Sequence, residues 1–206
     1  MKIRHALLLC LALGPAVCFG PSAALAAGPA ASAALPADSI YQIQPLTLSD
    51  QTGDRFDFAS LRGAPALVGM FYASCKMACP IEIESIKQTL RDVRDAGGRP
   101  VPVVLVSFDP GHDDTAALHA SAVEHGVQAP QFRLCRPEDG DEGQLAGVLG
   151  IAFRALPHGG FSHNVVVALL DAQGRIVART DASGAPDPAF VKAIVRLQGH
   201  DAPAVR

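Results

Sequence analysis

Tryptophan is absent, tyrosine occurs twice, and no stretch concentrates lysine and arginine. With 17 basic against 20 acidic residues and a formal charge of −3, the chain lacks the basic footprint that a nucleic-acid backbone requires, so no nucleic-acid partner is expected. Cysteine is scarce: five are present, at positions 10, 18, 75, 79 and 135. No apolar run is both long and uninterrupted enough to span a membrane comfortably; the run over residues 6–19 is broken by Gly14-Pro15. No internal repeat and no second domain can be read. What is present is a 49% hydrophobic chain of 206 residues, enough for one cored domain with additions.

The first 26 residues read as a secretory signal. Lys2 and Arg4 supply the positive start, residues 6–19 the apolar region, and Ala24-Leu25-Ala26 a small-residue cleavage site before Ala27. The expectation is an exported, periplasmic protein; an uncleaved anchor facing the periplasm is the alternative, and Cys18 raises a lipoprotein version of it. Residues 27–39 are rich in Ala, Pro and Ser and read as a flexible leader. Residues 40–199 form the expected domain and 200–206 a frayed tail. Removal of the signal leaves Cys75, Cys79 and Cys135, an odd number, which excludes a disulfide-rich scaffold and points to a few functional thiols.

Within the domain, weak alternation over 42–48, the turn Asp50-Gln51-Thr52-Gly53 and alternation over 55–58 predict an N-terminal hairpin. The apolar runs 66–72 and 101–108 suit strands buried on both faces. Between them Cys79, Ile83, Ile86, Leu90 and Val93 fall on one helical face, ended by Gly97-Gly98. A helix over 115–125 capped by Gly126, a short strand over 131–135, a helix over 142–149, a strand over 164–170, a turn at Asp171-Ala172-Gln173-Gly174, a strand over 175–179 and a helix from Asp187-Pro188 to Leu197 complete the reading. Residues 156–162 read as a loop. This is the thioredoxin order: an α/β fold with a central mixed sheet flanked by helices, its first two core strands parallel because crossovers are right-handed, preceded by a β-hairpin extension.

The chemistry concentrates in Phe71-Tyr72-Ala73-Ser74-Cys75-Lys76-Met77-Ala78-Cys79-Pro80. Cys75 falls at the strand end and Cys79 at the helix start, with Pro80 suited to the first helical position and Glu82 and Glu84 to the positive end of the dipole. That dipole favours thiolate, which is both a nucleophile and a soft metal ligand. Cβ atoms at i and i+4 of a helix lie about 5–6 Å apart, wider than a disulfide prefers but suited to a bridging metal; with Cys75 in the loop, either outcome is open. Thiolates select ions such as Cu(I) and Zn, and two sulfurs need further ligands. Met77, His112, His119, His125, His158, His163 and His200 are the candidates. His163 leads because it follows the loop that faces the cysteine-bearing helix start in such folds, and His158 shares that loop. Cys135 reads as a buried, inert thiol.

Three ordered blocks resemble the Sco/SenC family of copper-binding, thioredoxin-like proteins: the C-x-x-x-C-P block at Cys75–Cys79–Pro80, Leu105-Val106-Ser107-Phe108-Asp109-Pro110-Gly111-His112-Asp113-Asp114, and Phe161-Ser162-His163-Asn164 leading into Asp171-Ala172-Gln173-Gly174-Arg175. The likeness covers about residues 43–197. It implies copper, as Cu(I) or Cu(II), bound by Cys75, Cys79 and His163, with Asp109 as a nearby supporting acid. It also implies assembly of a copper centre, with the copper-site subunit of cytochrome c oxidase or another exported copper protein as client, and other copper chaperones or thiol reductants as further partners. The chain departs from the family pattern at Lys76, where proline is common, and at Ser162, where an acid is common. Two other functions compete: a thiol–disulfide oxidoreductase that uses Cys75 and Cys79 without obligatory copper, and a peroxiredoxin-like peroxidase, for which the Pro/Thr setting of a peroxidatic cysteine is missing.

Overall fold

Strands buried on both faces must be apolar throughout, and the three most apolar segments of the domain occupy the middle of the sheet. The computed structural model describes residues 34–43, 46–138 and 142–200. The expected signal, the leader up to residue 33 and the tail beyond 200 lie outside the described residues. The described residues from Leu35 onward form one unit.

A short 3-10 turn at Ile40–Gln42 precedes the antiparallel hairpin of β1 (Thr47–Asp50) and β2 (Arg55–Asp57). Then come β3 (Ala66–Phe71), α1 (Ala78–Asp95), β4 (Val103–Ser107), α2 (Thr115–His125) and β5 (Phe132–Pro137), two crossovers with parallel pairing of β3 to β4 and β4 to β5. Helix α3 (Glu142–Leu149) leads into a small separate hairpin of β6 (Phe153–Ala155) and β7 (Phe161–His163). The antiparallel pair β8 (Val167–Leu170) and β9 (Ile176–Thr180) and helix α4 (Pro188–His200) follow. The main sheet runs β2-β1-β5-β4-β3-β8-β9, so the N-terminal hairpin extends the thioredoxin-like sheet beyond β5.

Every residue of β3, β4 and β8 is buried, whereas β9 alternates as a half-solvated edge strand. Helix α1 lays Cys79, Ile83, Ile86 and Val93 into the core. Helix α2 is capped at its start by Asp114, whose carboxylate accepts the Ala117 N–H at 2.8 Å, and at its end by Gly126 in the left-handed region. Among the described residues, no helix is long and apolar enough to cross a membrane.

The structure corrects several expectations. The strand expected over 42–48 begins only at Thr47, because residues 40–42 make the 3-10 turn that docks on the β8–β9 turn through Ile40 N–H to Gly174 O at 2.9 Å. Pro80 is the third residue of α1 rather than the first, still within the first turn, where a missing N–H costs no helical bond. The loop expected over 156–162 is shorter, since Phe161 and Ser162 belong to β7 together with His163. Glu82, read from the sequence as suited to the positive helix start, is 1% exposed and faces the sheet.

Candidate metal centre

The site begins where β3 stops. Cys75 N–H donates to Tyr72 O at 3.2 Å, turning the chain out of the sheet and back toward α1. Cys75 lies in that loop and Cys79 is the second residue of α1; they are 6% and 2% exposed. The first N–H groups of a helix have no intrahelical acceptor, and Met77, which precedes α1, makes no side-chain cap. The Cys75 sulfur fills that role: it accepts the Cys79 N–H at 3.3 Å, and the Met77 N–H is directed at it as well.

The thiols are therefore unequal. Burial alone would raise the Cys75 thiol, but the N–H groups of Cys79 and Met77, the Cys79 thiol and the Tyr72 hydroxyl together bring it below the ordinary thiol value. Cys79 is pushed well up: burial dominates, a bond from the Tyr72 backbone opposes it in part, and Cys75 and Glu82 add to the rise.

His163 reaches the pair from β7. In the β6–β7 hairpin His163 stands opposite Phe153, and Phe161 is two residues away on the same face. These rings pack on Tyr72 and Phe108, which follow β3 and β4. The Phe108 ring lies 5.0 Å from Phe153, 5.1 Å from Phe161 and 5.0 Å from His163, and Tyr72 lies 5.2 Å from Phe161. The hairpin is thus seated on the sheet end by aromatic contacts. His163 Nδ1 is 3.1 Å from Asn164 O. A carbonyl only accepts, so Nδ1 carries the proton and Nε2 keeps its lone pair.

One donor atom each from Cys75, Cys79 and His163 lie within 4.8 Å of one another. Two metal–sulfur bonds of about 2.3 Å span at most about 4.6 Å, and less once a third ligand bends them, so the donors close on one ion by drawing together by under about 1 Å. Two thiols and a neutral imidazole suit soft and borderline ions. Among the described residues no other histidine, cysteine or carboxylate joins the group. His158 is exposed in the β6–β7 turn, and His119 and His125 lie on α2.

Asp109 lies outside the donor set. Its Oδ1 is 2.8 Å from His112 Nδ1, and this hydrogen bond raises the proton affinity of His112. The acid that touches the cysteine loop is Asp113, which is buried: its Oδ2 accepts the Ala73 N–H at 2.9 Å and the Ser107 hydroxyl, while Ser107 Oγ accepts the Asp109 N–H at 2.9 Å. Sequence reasoning missed this role because Asp109, Asp113 and Asp114 stand in one polar block. Glu82 was also missed. Both its oxygens are buried without a hydrogen-bond partner, and burial, with Cys75 as a second cause, raises its carboxyl well above the usual range. Gly69 makes room for it, since a Cβ at that position would lie 3.2 Å from Glu82 Oε1; a glycine inside an otherwise bulky strand is the available signal. Cys135 is fully buried in β5, its thiol raised by burial.

A cavity of about 520 Å³ opens above the cysteines, lined among others by Cys75, Met77, Leu156, Phe161 and His163. A second cavity, of about 450 Å³ between α2 and the β1–β2 turn, holds His119 but no thiol.

Fold and site together define a thioredoxin-like domain that presents two thiols at a strand–helix junction and an imidazole from a hairpin, a thiolate–imidazole metal-binding protein by construction. The chain belongs to the SCO1/SenC family, whose model matches residues 37–198. Among solved structures it is similar to Arabidopsis thaliana ScoI with copper bound (TM-score 0.64, 16% identity, covering 76% of this chain and 98% of that one). It is also similar to a SCO1/SenC family lipoprotein from Bacillus anthracis (TM-score 0.66, 16% identity, 75% and 93%). A third similar structure is BsSco, described with a disulfide switch as a member of the Sco family of cytochrome c oxidase assembly proteins (TM-score 0.64, 15% identity, 82% and 98%). No curated protein matches the chain.

Proposed function

We propose that the protein is an exported copper-binding metallochaperone that helps assemble the copper centre of a respiratory cytochrome c oxidase. Copper is its cargo, held by Cys75, Cys79 and His163, and its client is the copper-site subunit or another exported copper protein. The observation that carries this reading is the convergence of the three donor atoms within 4.8 Å; family membership and the copper-bound relatives support it. When bound, copper would be neutralised by the thiolates and oriented by an imidazole whose tautomer Asn164 O selects. The test is anaerobic copper titration of the reduced protein and of Cys75→Ser, Cys79→Ser and His163→Ala. We expect one copper per chain and thiolate-to-copper absorption lost or displaced in all three variants. Unchanged affinity and spectrum in His163→Ala would remove His163 from the site.

Reduction of the client's cysteines is the second reading, and the inequality of the two thiols favours it. The Cys75 thiolate would attack one sulfur of a client disulfide, forming a mixed disulfide and releasing the other sulfur, which takes up a proton. Cys79, having lost its proton, would then attack the Cys75 sulfur, free the second client thiol and close the Cys75–Cys79 disulfide. Two electrons pass from the pair to the client. In this reading His163 is dispensable, so a His163→Ala variant that still reduces a client disulfide would separate the two functions.

A further inference from the structure

We infer that Met77 is an outer soft ligand through which Cu(I) enters and leaves the Cys75–Cys79–His163 site. The inference rests on the copper-binding reading above and adds a route to it. Both sulfurs of the site are buried, Cys75 at 6% and Cys79 at 2% exposed, so an incoming acceptor cannot meet both of them directly. Met77 stands between them in sequence, and its side chain is 79% exposed, lining the mouth cavity together with Cys75 and His163. Its backbone lies two residues from each of the two cysteines, which keeps it beside the site.

A methionine side chain has three rotatable bonds and a polarizable thioether, so from this anchored backbone the sulfur swings between solvent and the mouth. A thioether is soft enough for Cu(I) but uncharged, hence a weaker donor than the two thiolates. It therefore does not displace a resident ligand. It offers a copper that has let go of one thiolate a soft partner before the acceptor's ligands close on it. The neighbouring residues that line the mouth are poor substitutes: Lys76 is a cation, 3.6 Å from Glu124, and Ser74 and Ala78 carry no soft donor.

The experiment uses reduced protein, Cu(I) alone as the ion supplied, and bicinchoninate as a small competing acceptor, which eliminates any contribution of Met77 to docking a protein partner. Met77→Leu keeps the apolar volume and Met77→Gln keeps the length and flexibility; neither keeps the sulfur, and the exposure of the position leaves folding intact, which circular dichroism checks. We expect both variants to hold Cu(I) with an equilibrium affinity within about twofold of the wild type, while stopped-flow loading and release both slow by about tenfold, the effect of losing one ordinary transition-state contact. Loading and release rates equal to the wild type would overturn the inference and leave copper binding untouched. So would a tenfold loss of affinity carried by faster release alone, which would make Met77 a resident ligand. A wild-type protein that takes up no Cu(I) would instead overturn the copper-binding reading, and the inference with it.

Discussion

At the scale of single residues, the site depends on what is done to three titratable groups. Cys75 accepts N–H bonds at a helix start and is the more readily ionised thiol, while Cys79, four residues on, is pushed toward its protonated form by burial. Alkylation of the reduced protein by iodoacetamide is therefore expected at Cys75 first, with a pH–rate midpoint below the ordinary thiol value, while Cys79 and Cys135 react only on unfolding. Peptide mapping over a pH series checks this, and equal labelling of Cys75 and Cys79 would refute it. Glu82 is the third group. Its folded carboxyl is raised above its unfolded value, near 4.3, so the folded state is favoured fully only below about pH 4, and that stability is lost as pH rises through the folded value. Glu82→Gln, which cannot ionise, should be more stable than the wild type at neutral pH by about 1–3 kcal/mol, and the gap should close as pH falls toward 4. Urea unfolding at pH 4, 6 and 8 reads the trend; a gap that widened in acid would contradict it.

At the scale of elements, the decisive piece is the β6–β7 hairpin, because it alone carries His163. Phe161 packs on Tyr72 and Phe108, so Phe161→Ala should cost about 2–4 kcal/mol, somewhat under the range for a fully buried ring. It should also weaken Cu(I) by about tenfold or more with all three donors present, as loss of a supporting group does. Urea midpoints and a Cu(I) competition titration measure the two effects; destabilisation without loss of affinity would show that His163 is seated by other contacts. The cysteine loop has its own tie. Asp113→Ala leaves the Ala73 N–H and the Ser107 hydroxyl without their acceptor and should cost about 1–3 kcal/mol. Asp109→Ala, which releases only the exposed His112, should stay within about 0.5 kcal/mol.

These elements also mark how far the sequence could be read. Helix α1, the buried strands and the junction that bears Cys75 and Cys79 were legible because long apolar runs and a four-and-three spacing admit few foldings. The β6–β7 hairpin was not: its strands are three residues long, and Pro157 with Gly159-Gly160 reads as loop. Nor could spacing tell Asp109 from Asp113, since only the three-dimensional course of the loop decides which carboxylate meets Ala73.

At the scale of the whole molecule, the three donors come from three places: the loop after β3, the first turn of α1, and the end of a hairpin that follows α3. The Cys79 N–H bond to the Cys75 sulfur joins two of them locally; His163 is brought to that pair by the sheet. A metal bound there has its complete donor set only in the folded chain, and unfolding must break its bond to His163. Linkage then requires that Cu(I) stabilise the fold by an amount set by its concentration relative to the dissociation constant, about 4 kcal/mol at a thousandfold excess. For a chain of this size each kcal/mol moves the midpoint by about 2–4 °C, so the reduced wild-type protein should melt about 8–16 °C higher with Cu(I) than without. The same addition to His163→Ala should give a much smaller rise, because the two remaining donors sit four residues apart on one segment and tie no distant element to it. Differential scanning calorimetry of both proteins, anaerobically and over a copper series, measures the difference. Equal shifts in the two would mean that the metal is held locally by the cysteine segment and that the hairpin takes no part in carrying it.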